Sequence, residues 1–101
     1  MTGTEQRDEI YRAKVNLETS QMEWKELERF FASGAMISVE PELDLVEVAF
    51  QISQDNKKQV ENWLAERKIG KVSDEQARRW SEANAALWAV VVKPWVLVQP
   101  V

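Results

Sequence analysis

The 101-residue sequence contains no histidine and no cysteine. Their absence excludes a Ser-His-Asp triad, a cysteine nucleophile, a His/Cys zinc site and any disulfide framework. Carboxylates, Lys, Ser, Tyr or a borrowed cofactor are all that an enzyme would have to work with. Glycine and proline number three each, and neither a Gly-rich phosphate loop nor a paired-carboxylate signature is present. No catalytic residue, cofactor or metal ligand is therefore expected, and an enzyme is the least favoured class. The opening residues, Met-Thr-Gly-Thr-Glu-Gln-Arg-Asp-Glu, lack the apolar stretch of a secretory signal. The expected location is the cytoplasm, which the lack of stapling cysteines supports.

What remains has the composition of a globular domain. Hydrophobic residues make up 45% and charged residues 30%, with a formal net charge of -4 and a mean hydropathy of -0.43. A chain of this length fits a single domain, expected to span residues 1–101, with one modest core.

Periodicity divides the chain into short elements. Ile10, Ala13 and Leu17 share a helical stripe with Tyr11 and Val15 beside it, and Thr4 serves as an N-cap, predicting a helix from Glu5 to Glu18. In "EWKELERFFASG", Trp24, Leu27 and Phe31 form a second apolar stripe, and Gly34 stands where helices end in a left-handed residue. "AMISV", residues 35–39, reads as a strand stopped by Glu40-Pro41. "DLVEVAFQISQD" fits both templates, because Val46, Val48, Phe50 and Ile52 alternate while Leu45, Val48, Ala49 and Ile52 make a helical face. The capping-box spacing of Asp44 and Glu47, with a polar stripe of Glu47, Gln51 and Gln54, favours helix. Then follow a helix with Val60, Trp63 and Leu64 inward, a short strand at Ile69 to Val72, and a helix opened by the Ser73/Gln76 capping box, with Ala77 and Trp80 inward.

The last segment, "LWAVVVKPWVLVQP", is almost wholly apolar. A membrane-spanning helix needs about 20 apolar residues, whereas this run is shorter, is broken by Lys93-Pro94 and is rich in strand-forming valine. No membrane association is expected. Apolar runs without alternation suggest strands covered on both faces, and Pro94, which donates no hydrogen bond, belongs at an edge, bend or bulge. One long bent strand or two short ones is predicted at the heart of a small antiparallel sheet. Trp88 and Trp95 are most simply core residues rather than an exposed partner-binding strip; their sharper reading is a homodimer interface, since Trp is enriched at interface centres.

From Trp24 the order helix, strand, helix, helix, strand, final strand region is that of a winged-helix domain, here with an extra N-terminal helix and a helix before the last strands. The expected fold class is thus α+β, winged-helix-like. In that arrangement Lys57, Lys58, Gln59 and Asn62 occupy the outer face of a would-be recognition helix, with Arg67, Lys68 and Lys71 near the wing, where nucleic-acid contact would fall. Against it stand a pI near 4.9, Glu61 and Glu66 on the same helix, and no basic tail. The acidic group Glu40, Glu42, Asp44 and Glu47 matches no cation-binding loop and is explained by helix capping.

Across residues 11–99 the runs "W..LERFFA.G", "LDLVEVA", "VENWLA", "SDEQA" and "LWAVVVKPWVLVQ" resemble a family of small bacterial proteins known as domain of unknown function 2288. One departure is "ERK" at Glu66 to Lys68, where the family pattern would place a Gly before the strand. The resemblance implies a bacterial cytosolic protein and brings no activity, cofactor or catalytic residue with it. The function favoured by the sequence is a self-associating, non-enzymatic interaction or regulatory module acting through a protein partner or homodimer, with nucleic-acid binding second and an enzyme third.

Overall fold

The computed structural model describes residues 9, 10, 12–15 and 18–101. Residues 9, 10, 12–15 and 18 are helical; Thr4, Tyr11 and Leu17 lie outside the described residues. After this N-terminal helix come β1 (Ser20–Glu23), α1 (Trp24–Ala32), β2 (Met36–Val39), α2 (Leu45–Ser53), α3 (Lys57–Ala65), β3 (Ile69–Lys71), α4 (Asp74–Ala83), β4 (Ala86–Val92) and β5 (Trp95–Pro100). The strands form one sheet in the order β1-β4-β5-β2-β3.

The fold is α+β, but the sheet is mixed rather than antiparallel. β5 runs parallel to β2, with Met36, Ile37 and Ser38 beside Val96, Leu97 and Val98, whereas β1/β4, β4/β5 and β2/β3 are antiparallel. The central strands are buried on both faces, which requires helices on both sides, and long helical connections are what permit parallel neighbours. The apolar C-terminal stretch is a hairpin that turns at Lys93-Pro94, so Pro94 sits outside the ladder. The pairing also departs from a winged helix. β3 pairs with β2 and not with the strand that follows it, because α4 lies between them.

Strand alternation assigns the core to two faces. On one, α1 and α4 bring Trp24, Leu27 and Ala77 onto Met36, Leu87, Ala89, Val96 and Val98. Trp24 meets Phe31 at 5.8 Å and Trp80 at 6.1 Å between ring centroids. α1 ends through Gly34 at φ 78, and α4 ends at left-handed Asn84, whose side-chain oxygen accepts the Lys25 N–H and so ties the two helices together. The Ser73/Gln76 capping box is present.

On the other face α2 and α3 cover Val39, Ile69, Val90 and Leu97. The ambiguous segment is a helix. Asp44 caps it by accepting the N–H groups of Val46 and Glu47, but Glu47 does not return the capping bond, because its carboxylate is held by Arg12 at 2.8 Å and Gln51 at 2.6 Å. Glu47, at one end of the stripe expected to be an outer one, is therefore where the N-terminal helix docks, with Arg12 also lying 4.3 Å over the Phe50 ring, while Gln54 at the other end is exposed. The N-terminal helix itself is turned from its expected setting. Ile10 is 66% exposed and Ala13 is exposed, while Arg12 and Val15 face the protein. β1 was not expected; three of its four residues are exposed and only Met22 turns inward, so it lacks an alternation signal.

Candidate functional site: an apolar groove beside the sheet edge

α3 is the helix least committed to the core. None of its residues is fully buried, and Leu64, expected to point inward, is 49% exposed. Its shallow seating leaves a groove of about 260 Å³ between α3 and the sheet. Ile37, Ile69 and Trp95 form the floor from three strands, and Ile52, Val60 and Leu64 form the wall from α2 and α3. Lys71 stands at the mouth with its ammonium 5.9 Å from the Trp95 ring centroid, within range of a cation–π contact. A second hollow of about 230 Å³, which shares Ile52, Val60 and Trp95, continues the groove toward Asp55, Lys57 and Glu61.

The two tryptophans of the candidate interface do not form one strip. Both lie on the α2/α3 face, but Trp88 pairs with Gln99 and Trp95 with Val92, placing them four residues, or about 13 Å, apart along the strands. Between them Val90 and Leu97 are covered by α2. Trp88 is 37% exposed and borders a separate hollow with Thr19, Val46 and Gln99. Only Trp95 belongs to the groove.

The nucleic-acid candidates are dispersed. Lys57 and Lys58 begin α3 and Asn62 lies past its middle, all exposed, while Gln59 is half-buried. Arg67 and Lys71 follow the helix, which is about 13 Å long, and Glu61 and Glu66 interrupt the set. Arg67 adopts φ 59. The family resemblance placed a Gly in this turn, and the backbone has the left-handed conformation that glycine adopts most readily.

Three of the four acidic residues around the start of α2 have a structural partner, and the fourth, Glu40, is exposed. Glu42 pairs with Lys68, Asp44 caps the helix and Glu47 binds Arg12. The Arg12 hydrogen bond holds the Glu47 carboxyl below its ordinary value, while the bond to Glu42 holds the Lys68 ammonium above its own. Among the described residues no group of three or more acids is placed to hold a metal ion.

A larger furrow of about 610 Å³ runs between α1 and α4, but Glu28, Arg29, Asp74 and Arg78 wall it and Trp24 at its base is 4% exposed. Phe31, Ala32 and Ala77 add apolar lining, but the charged residues make it more polar than the groove beside α3. Ile37, Ile52, Val60 and Ile69, the residues that shape the smaller groove, look like ordinary core positions in the sequence. Leu64 gave no sign of its exposure, because helical periodicity shows which side a residue faces and not how far its helix stands off the sheet.

The whole chain also has relatives. The model of the family described as "Protein of unknown function (DUF2288)" matches residues 10–100. The chain belongs to the DUF2288 family. Its structure is similar to the NMR solution structure of PA1075 from Pseudomonas aeruginosa, with a TM-score of 0.77 and 44% sequence identity over 86% of this chain and 81% of that one. No curated protein matches the chain. Among the described residues of this DUF2288 member, no helix is long and apolar enough to cross a membrane.

Proposed function

We propose that this protein is a non-catalytic binding module that holds an apolar group of a protein partner in the groove between α3 and the sheet. The observation that carries this reading is the half-exposed Leu64 standing over a strand-built floor that includes Trp95. An apolar surface left open beside a cationic rim suits ligand capture better than catalysis, in a chain with no His or Cys to supply a reacting group.

The test is a titration with 1-anilinonaphthalene-8-sulfonate, an apolar anion whose emission rises in dry apolar sites. The wild-type chain should enhance that emission, and Leu64→Asp should abolish most of the response while leaving the melting temperature within a few degrees. An unchanged response in the folded variant would remove the groove from consideration.

A second reading follows from the winged-helix-like order of α2 and α3, which sets Lys57 and Lys58 at an exposed helix start. Duplex DNA would then bind through phosphate contacts that weaken with salt. Anisotropy of labelled duplex at low and physiological salt, with the double variant Lys57→Ala, Lys58→Ala, decides it: absence of binding at low salt ends this reading.

A further inference from the structure

We infer that the outer edge of β3 takes an extended acidic segment of a partner as an added strand, with one of its apolar side chains entering the groove; the inference rests on the groove reading above. β3 is the last strand of the sheet. The Glu40 N–H donates to the Lys68 carbonyl and the Val72 N–H to the Met36 carbonyl, so residues 68, 70 and 72 turn their backbone groups toward β2. By the alternation of an antiparallel ladder, the N–H and C=O of Ile69 and Lys71 point away from the sheet. A depression of about 330 Å³ follows this edge, flanked by Leu64 and Arg67 at the end of α3 and by Gln76 near the start of α4. It meets the apolar groove at Leu64, Ile69 and Lys71.

An added strand would satisfy the two outward donors and acceptors, and its alternate side chains would fall on the groove face. There they would lie opposite Ile69 and Lys71. The first position calls for an apolar residue beside Leu64, and the second, two residues away, for a carboxylate. Arg67 and Lys71 have no ion-pair partner among the described residues. Lys68 is already paired with Glu42. With Arg67, Lys68 and Lys71 set against the single acid Glu40 along this depression, the edge is net cationic on a chain of net charge -4 and complements an acidic segment.

The same charges act against a second copy of the chain. Two β3 edges paired about Gly70 would place Lys71 diagonal to the second copy's Lys71 and Arg67, where like charges repel. Lysine on an edge strand is also a common guard against self-pairing.

The experiment is a selection from a phage-displayed library of random decapeptides on the full chain, followed by NMR titration of the synthesised winners. The winners should carry an apolar residue two positions from Asp or Glu, and should shift the amides of Ile69 and Lys71. N-methylation of the peptide nitrogens that face β3 should weaken binding at least tenfold. Lys71→Glu should do the same, with affinity regained by peptides in which Lys replaces the acid. Winners that respond to Leu64→Asp but tolerate N-methylation would overturn strand addition and leave the groove reading intact. No enrichment, winners that map elsewhere, or Ile69 and Lys71 amides that shift on protein dilution alone would also overturn it, the last because a second copy then holds the edge. An anilinonaphthalene response that the wild-type chain fails to give, or that Leu64→Asp leaves unchanged, would instead strike the groove reading itself.

Discussion

α1 and α4 cover one face of the sheet, and α2 and α3, with the N-terminal helix docked on α2, cover the other, but α1 and α3 are not seated to equal depth. α1 drives Leu27 to complete burial and Trp24 to 4% exposure, and Asn84 ties α1 to the end of α4. α3, on the opposite face, buries no residue fully. Both helices have nine residues and an amphipathic pattern. The difference lies in what the pattern meets: α1 carries two phenylalanines and a tryptophan onto the valine, leucine and alanine of β4 and β5, whereas α3 meets the large Trp95 and stands off it. A helix seated to full depth stabilises, and a helix held off its floor leaves room for something else.

The largest test of this contrast is truncation at matched leucines. Leu27→Ala removes a fully buried side chain and should cost about 2–5 kcal/mol, whereas Leu64→Ala, half in solvent, should cost about 0.5 kcal/mol or less. Urea unfolding at pH 7 measures both. A Leu64→Ala cost near that of Leu27→Ala would mean that α3 is as firmly seated as α1, and the groove would lose its argument. Amide exchange draws the same comparison without mutation. α3 amides should exchange through openings about 2 kcal/mol less costly than those of α1, because few buried contacts are broken when α3 lifts.

Much of this asymmetry could not be seen in the sequence. Helix positions were legible wherever a cap and a 3.6-residue stripe coincided, as at Ser73/Gln76 and at Trp24, Leu27 and Phe31. The doubly buried hairpin was legible from valine runs on either side of Lys93-Pro94. β1 was not, since its polar residues gain strand structure only by completing the edge of β4. The parallel pairing of β2 with β5 was equally hidden, because it depends on which strands a long helical connection brings together. Among the candidate site residues, Trp95 and Lys71 could be named from the sequence, but their meeting across two strands could not. Trp88 and Trp95 look equivalent in the text and are separated by register alone.

A smaller effect concerns the N-terminal helix, which belongs to the looser face. Glu47 gains its partner Arg12 only when that helix docks. Its folded-state pKa lies below the ordinary 4.5, first because of the Arg12 hydrogen bond. A carboxyl lowered in this way contributes stability above its unfolded pKa and loses it as the pH falls through the folded one. Glu47→Gln should therefore cost about 0.2–1 kcal/mol at pH 7, the range for a solvent-screened pair. The gap from wild type should close as the pH drops below the folded pKa. Thermal melts across pH 3–7 check this. A gap that stays constant would assign the cost to lost packing over Phe50 instead.

One expected change is a gain, at the point where α3 hands over to the edge strand. Arg67 holds φ 59, and a side chain in the left-handed region costs about 1–2 kcal/mol. Glycine relieves that strain but adds freedom to the unfolded chain, worth about 0.4–1 kcal/mol. Arg67→Gly should therefore stabilise the protein by about 0.5–1 kcal/mol. Its second consequence separates stability from binding, because Arg67 is also one of the two cations at the β3 edge with no ion-pair partner among the described residues. The variant should melt higher and bind acidic decapeptides several-fold more weakly. Higher melting with unchanged binding would confine Arg67 to the turn and leave Lys71 alone to recognise the acid. Lower melting would mean that the guanidinium contributes more at this turn than its backbone strain costs.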